Sequence, residues 1–384
     1  MNDNFSPLSQ PQPVYIVDTT LRDGEQAPGV VFTTKEKIAI AKLLDEIGVD
    51  QLEAGTPIMG GAEAEALKLI VKLGLRTSIM AWCRASINEV KVGLACGVDA
   101  LEISAPTSDI HIVQKLKTSR QAVLENMVEA VSYAKAQGVY VSVGAEDTTR
   151  SDEAFVIEYA LAAKKAGADR LRYCDTVGII DPLALCERIR RLREKVPLPI
   201  EIHAHNDFGL ATANALAAWQ AGASFISTTV TGLGERSGNA ALEEVIMALK
   251  HIFKQPVIYD TSKLKPTCNY VATAANRIIS VSKPIIGEAL FSHESGIHAD
   301  AALKNPATYE PYPPEEVGLE RHLIIGKHSG SAALRNRLGE LGIELDKATA
   351  SRLLPAVRDF AIKHKRALTG TDIIYLYEQL VPRP

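Results

Sequence analysis

Two histidines two residues apart, in His203-Ala204-His205-Asn206-Asp207, end the short apolar run Pro199–His205. Residues i and i+2 of a strand project to the same side, so a strand here aims both imidazoles one way. Paired imidazoles suit a divalent transition metal. Two half-buried histidines bonded to backbone are the plainer alternative. Asp18-Thr19-Thr20-Leu21-Arg22-Asp23-Gly24-Glu25-Gln26 packs four charged groups into nine residues just after another apolar run. If its Asp23 converges on the histidines, one carboxylate and two imidazoles leave positions open for substrate, as a catalytic metal requires.

Two glycine-rich segments invite a nucleotide reading and fail it. Gly232-Leu233-Gly234-Glu235-Arg236-Ser237-Gly238-Asn239 has the spacing GxGxxxG and follows the last apolar run rather than opening a βαβ unit. A loop that brings the Asn239 amide oxygen towards the metal fits better. Gly326-Lys327-His328-Ser329-Gly330 lacks the spacing of a phosphate loop.

The elements that must position these groups recur from Val14 onward. Short apolar runs occur at Val14–Asp18, Asp50–Ala54, Arg76–Trp82, Val98–Ser104, Val139–Ala145, Asp169–Asp175, Pro199–His205 and Ala223–Val230. They are too short for ordinary helices and rich in β-branched residues, which favours buried strands. Amphipathic stretches such as Lys35–Ile47, Gln121–Gln137 and Ala211–Ala221 lie between them, several ending in a glycine that can stop a helix. Eight alternating units predict one (β/α)8 TIM barrel, an α/β fold, over residues 14–255; a doubly wound sheet is the alternative. Barrel enzymes carry their chemistry where strands end. Asp18, Arg22, Asp23, Glu53, Arg84, Ser104, Glu146, Asp175, Thr176, His203, His205 and Asn239 all fall there. In a closed barrel the first and eighth strands are neighbours, so Asp23 and the histidine pair can meet.

Residues 1–13, rich in Pro, Ser, Gln and Asn, read as a flexible arm. Residues 256–384 read as a mainly helical appendage, including a lid over the active site. In it, 259–300 is helical with a break at Pro284 and 301–326 is a loop. Helices are expected at Ser331–Leu341, Lys347–His364 and Thr371–Leu380.

Composition excludes several classes. With 46% hydrophobic and 23% charged residues the chain is not disordered. A formal charge of −4 argues against nucleic-acid or anionic-membrane partners. No apolar run approaches a membrane span, and the start resembles no secretory signal. Five cysteines without CxxC spacing predict reduced thiols in a cytoplasmic protein, packed as small apolar fillers.

In order along the chain, DTTLRDGEQAPG, HAHND, TGLGERSGNA, HESGIHAD and GKHSG resemble the acyl-CoA-dependent Claisen-condensing synthases. That metal-containing barrel family holds the 2-isopropylmalate, citramalate and homocitrate synthases. Met80–Arg84, Gly144–Asp147 and Leu171–Tyr173 look most like its nitrogen-fixation homocitrate branch. The resemblance implies an acyltransferase that joins acetyl-CoA to 2-oxoglutarate, releasing homocitrate and CoA. Homocitrate would then serve the nitrogenase iron–molybdenum cofactor. It also implies a divalent ion (Mg, Mn, Zn or Co) on Asp23, His203, His205 and Asn239. Arg22 would stand beside the keto oxygen, and Thr176 would bond the adjacent carboxylate. Gln26, Glu53, Glu146 and Glu201 would line or support the site, Glu146 among the catalytic groups. His298 and Tyr309 would reach over a barrel, that of the partner in a homodimer, to assist proton transfer; a helix-cap or loop histidine is the alternative for His298.

Lysine-pathway homocitrate synthases carry on the fifth strand an arginine for the distal carboxylate, where this chain has Ser142. Arg172 shares strand parity with Thr176 and is the expected substitute clamp, with Arg84 a second candidate; pairing of Arg172 with Glu146 is the alternative. Rival readings are 2-isopropylmalate or citramalate synthase, a metal-dependent C–C lyase, and a non-catalytic metabolite-binding subunit.

Overall fold

The structure is a computed structural model that describes residues 14–380, so the expected arm at 1–13 lies outside the described residues. All eight predicted strands form: β1 (Tyr15–Asp18), β2 (Gln51–Glu53), β3 (Ser78–Arg84), β4 (Ala100–Pro106), β5 (Tyr140–Glu146), β6 (Arg170–Asp175), β7 (Ile200–Ala204) and β8 (Phe225–Thr228). They pair in parallel and in order, and β1 closes on β8 with Tyr15 beside Phe225 and Asp18 beside Thr228. The fold is therefore a TIM barrel, and the doubly wound alternative is excluded. Helices α1 (Thr34–Ile47), α2 (Gly61–Val71), α3 (Ile87–Leu94), α4 (Arg120–Ala136), α5 (Glu153–Ala166), α6 (Pro182–Lys195), α7 (Ala211–Gln220) and α8 (Leu242–His251) connect the strands. Local chemistry sets their ends. Thr33 and Glu36 cap α1 reciprocally, and Gly48 ends it at φ 91°, a conformation that costs other residues a Cβ clash.

Two compact units divide between Ile279 and Ser280. The boundary expected after residue 255 thus lies later, because the chain beyond it returns to the barrel. The Tyr259 hydroxyl donates to Asp50 at 2.7 Å and the Asp260 amide to the Ile47 carbonyl at 2.9 Å. Helix α9 (Leu264–Ala274) follows in the same unit. The predicted helical stretch 259–300 is broken more widely than Pro284 alone suggests: residues 275–291 are turns and irregular chain. The second unit holds β9 (Ser292–His293), α10 (Gly296–Lys304), β10 (His322–Leu323), α11 (Ser331–Glu340), α12 (Lys347–His364) and α13 (Gly370–Leu380). Leu334, Leu338, Leu353, Val357 and Ile373 form its core.

The barrel interior is unusual. Its lowest layer is apolar, with Val17, Met80 and Ala100 packed by Tyr140 and Phe225. Directly against it lies Arg170, 1% exposed, its guanidinium 4.4 Å from the Phe225 ring centroid and 5.5 Å from that of Tyr140. Arg170 bonds Gln51 at 2.7 Å and pairs with Glu201 at 2.8 Å. Breaking a buried pair strands the remaining charge, which costs more than the pair contributes. Arg170→Ala should therefore lower stability by roughly 3–5 kcal/mol in denaturant titrations. Arg170→Ala combined with Glu201→Ala should cost less than the sum of the two single changes.

Candidate active site

Three side chains at the mouth converge as expected. Asp23, His203 and His205 are all buried, and one ligand atom from each lies within 4.8 Å of the others. The loop that delivers Asp23 is tied at several points. Asp18 accepts from the Thr20 amide at 2.9 Å, Thr19 bonds Glu53 at 3.0 Å, and the Thr20 hydroxyl accepts from the Val230 amide of the loop after β8 at 2.8 Å. Ser227 of β8 holds the Nδ1 edge of His203 at 2.9 Å, leaving Nε2 on the side of Asp23. The β8 loop is pinned by Arg236, which grips Asp207 at 2.9 and 3.1 Å and donates to the Thr176 carbonyl at 2.6 Å. Its turn closes at Gly238, φ 90°, where a Cβ would stand 1.9 Å from the Gly232 carbonyl oxygen.

The donor set fits a divalent cation. Burial raises the Asp23 pKa, but Arg22 above all, then His203, His205 and the Asn239 amide, outweigh it, so the carboxyl ionises well below its usual range. Burial holds both imidazoles neutral, with lone pairs available. Asn239 donates to Asp23 at 2.6 Å, and its Oδ1, like His205 Nδ1, is buried without a hydrogen-bond partner. Orphaned acceptors around an ionised carboxylate suit a cation.

Arg22 stands beside this triad. It bonds Asp23 at 2.9 Å and Glu53 more closely still, with its guanidinium 5.7 Å from the Trp82 ring centroid. Burial raises the Glu53 pKa, but Arg172 and then Arg22 bring it down to about 2. Gln26 is exposed at the rim, 3.5 Å from Arg22. A cavity of about 580 Å³ opens here, reached by Arg22, Gln26, Arg84, Glu146, Arg172, Thr176 and both histidines. The Thr176 hydroxyl accepts from the Asp147 amide at 2.8 Å. Glu146 is held by Lys115 at 2.7 Å and by His111 at 3.3 Å.

Arg172 needs a correction. It points inward, as its parity predicts, but it partners neither Glu146 nor empty space. Its guanidinium meets Glu53 at 2.5 Å, Glu201 at 2.8 Å and Glu102 at 3.5 Å. A clamp free for substrate is therefore the wrong description; three carboxylates already engage it. Arg84, the second candidate, has a side chain 70% exposed and tied to Glu89. Glu53 and Glu201 lie beneath the cavity rather than on its wall, and support the site through the arginines. His298 and Tyr309 belong to the second unit, where their ring centroids are 4.1 Å apart.

Sequence reasoning passed over Glu102, Ser227, Lys115 and Arg170. Parity could have found the first two, since Glu102 alternates with Leu101 and Ile103 on β4. Lys115 sits on a π-helical turn, Ile110–Lys115, whose geometry no local spacing announces.

A closed TIM barrel with a carboxylate–bis-imidazole cluster at its mouth defines a barrel protein with a candidate metal site. The HMGL-like family signature matches residues 13–271, and the homocitrate synthase post-HMGL signature matches residues 285–365. The chain belongs to the HMGL-like family. It is 58% identical to 2-isopropylmalate synthase 2 of Caldanaerobacter subterraneus, over 96% of each chain. Homocitrate synthase 1 of Nostoc shares 48%, over 95% of this chain and 97% of its own. The (R)-citramalate synthase of Methanocaldococcus jannaschii shares 44%, over 90% of this chain and 71% of its own. Among solved structures, the Bacillus subtilis HMG-CoA lyase superposes with a TM-score of 0.63 at 20% identity, covering 70% of this chain and 96% of its own, a likeness of fold alone. The wider family resemblance thus holds, while the homocitrate branch is not singled out.

Loss of a metal's outer-shell partner typically costs ten- to a hundredfold in affinity. Calorimetric titration with zinc or manganese should show Ser227→Ala binding about tenfold more weakly, through a freed His203 ring. Asp23→Asn should bind at least a hundredfold more weakly, on the order expected for a lost ligand.

Proposed function

We propose that the chain condenses acetyl-CoA with a 2-oxo acid and hydrolyses the resulting thioester, and that the acid is 2-oxoglutarate, giving homocitrate. One observation carries the substrate choice. The cavity wall built by β4 and β6 presents Glu102, Ser104 and Arg172. A branched aliphatic tail against these groups would leave buried charge and hydroxyls unsolvated, a penalty of several kcal/mol. A second carboxylate meets them as a hydrogen-bonding partner. The other reading, 2-isopropylmalate synthesis, is favoured by the name of the relative sharing 58% identity.

Asp23, His203, His205 and Asn239 would hold a divalent ion, which supplies Lewis acidity to the ketone when bound. Arg22, fixed by Asp23 and Glu53, places a permanent positive charge where alkoxide character develops. In a water-poor mouth that charge acts at full strength because it needs no reorganisation. Thr176 has its hydroxyl hydrogen free for the substrate's first carboxylate, since its oxygen accepts from Asp147. Glu146, at the end of β5 and paired with Lys115, supports the rim between β4 and β6. Proton removal from the acetyl methyl is assigned to His298 with Tyr309, working over the partner's barrel in a homodimer. Homocitrate made this way would suit nitrogenase cofactor assembly.

Thiol release from acetyl-CoA with a panel of 2-oxo acids tests the reading: turnover with 2-oxoglutarate supports it, and preference for 2-oxoisovalerate or pyruvate reassigns the substrate. Arg22→Ala should lower kcat by roughly 10²–10³-fold, the usual loss for a group aimed at developing charge. Mixing inactive Asp23→Asn and His298→Ala proteins should restore part of the activity if the second unit serves the partner's barrel; unmixed samples should stay inactive.

A further inference from the structure

Among the described acids of the inner barrel, Glu102 is the one the arginines hold most loosely. Arg22, Arg170 and Arg172 are matched by Asp23, Glu53 and Glu201 through contacts of 2.9 Å or less. Glu102 is left with a loose approach of 3.5 Å to Arg172 Nε. It is fully buried from bulk water, yet it lines the cavity, and the Ser142 hydroxyl opposite it on β5 is its hydrogen-bonding neighbour. The space it occupies is cut for it. Gly144 on neighbouring β5 has no side chain, and a Cβ there would stand 2.3 Å from Glu102 Oε1 and 2.9 Å from Ser104 Oγ.

The groups facing this carboxyl are Arg172 and Cys174 of β6, Glu201 of β7, Glu53 of β2 and Tyr140 of β5, with the Ser142 hydroxyl of β5 opposite it; Cys83 of β3 points away, its thiol on the Glu89 carbonyl. Burial, only partly offset by Arg172 and reinforced by Glu201 and Glu53, pushes the Glu102 pKa up to about 7. Near neutrality a large fraction is therefore the uncharged acid, which has a hydrogen to give.

We propose that Glu102 reads the far end of the 2-oxo acid, donating its carboxyl hydrogen to a second carboxylate and so selecting dicarboxylic over branched aliphatic substrates. Arg172 acts behind it as a positioning residue, holding the charge balance of the floor rather than gripping substrate. The inference rests on the condensation reading and deepens it. It also fixes a pH sign: as pH rises through about 7 the acid becomes an anion that repels the substrate's second carboxylate. The KM for 2-oxoglutarate should then rise, while that for 2-oxoisovalerate stays level.

The test is the ratio of kcat/KM for 2-oxoglutarate to that for 2-oxoisovalerate, each pair measured in one metal-loaded preparation so that folded fraction cancels. Glu102→Gln keeps the shape and a neutral donor, and should hold the ratio at pH 7 within about threefold while flattening its fall at higher pH. Glu102→Leu removes the donor and should lower the ratio by thirtyfold or more, a factor of about 10–100 being usual for a lost hydrogen bond to a charged partner. Equal losses in the Gln and Leu variants, ratios unmoved in both, or a wild-type enzyme that turns over only the branched acid would overturn the proposal. Absence of thiol release with every acid would instead reject the condensation reading. Calorimetric titration of 2-oxoglutarate into the metal-loaded wild type and both variants then decides the role of Glu102 alone: equal affinities in all three overturn it.

Discussion

Charge placed inside a β-barrel has to be neutralised there, and in this protein that constraint organises the site. From the apolar floor to the mouth, positive and negative groups alternate: Arg170, Glu201, Arg172, Glu53, Arg22, Asp23. Each interior member is shared by two neighbours, so its position is over-determined. Buried ion pairs of this kind add little net stability, because desolvation offsets the Coulomb gain. What the series does supply is geometry. Glu53 fixes Arg22, Arg22 and the two imidazoles keep Asp23 ionised, and an ionised Asp23 is what a metal needs. Preorganisation of the mouth therefore begins at Arg170, three ion pairs below Glu53.

Much of this was legible in the sequence, and the limit has a physical reason. A period of two tells which side of a strand a residue faces, and that is enough to aim His203, His205 and Arg172 inward. It does not tell how deep in the barrel the residue sits. Depth depends on strand stagger around the closed sheet, which appears only when Arg172 is seen level with Gly144 and Glu201. Hence the direction of Arg172 was predictable and its partners were not. Asn239 was easier, since its loop follows the last strand and the barrel's closure returns it to Asp23. The stretch after α9 was misjudged for another reason. Helical composition persists through residues 275–291, but Ile285 sits at φ 70° and the chain turns repeatedly there.

The relatives quoted at 58%, 48% and 44% identity are named for three different products. Overall similarity therefore does not choose the acid; a few inward positions must. In this barrel they are separable. The groups that could hold a metal come from the loop after β1 and the end of β7, with Asn239 of the loop after β8 bonded to Asp23, on the side where the sheet closes. The polar wall comes from β4 and β6, with Gly144 of β5 making room between them. On the proposed reading, chemistry and selectivity occupy different arcs of one rim, which would let the second vary while the first is kept.

The separation is incomplete, and the way it fails constrains how such an enzyme changes substrate. Glu102 touches Arg172, and Arg172 holds Glu53, the residue that fixes Arg22. Replacing the polar wall by an aliphatic one cannot stop at Glu102. Arg172 left against a hydrocarbon pocket would still be drawn to Glu53 and Glu201, and its exposed edge would lack a polar neighbour. Removing Arg172 alone would strand both acids beneath the metal site and loosen Arg22. On the proposed reading, converting this barrel to branched acids would require removing its inner charges as matched pairs, or supplying Glu53 with another cation. Substitutions on the selectivity arc should accordingly be coupled across β2, β4, β6 and β7 rather than additive, since these strands share one buried charge balance.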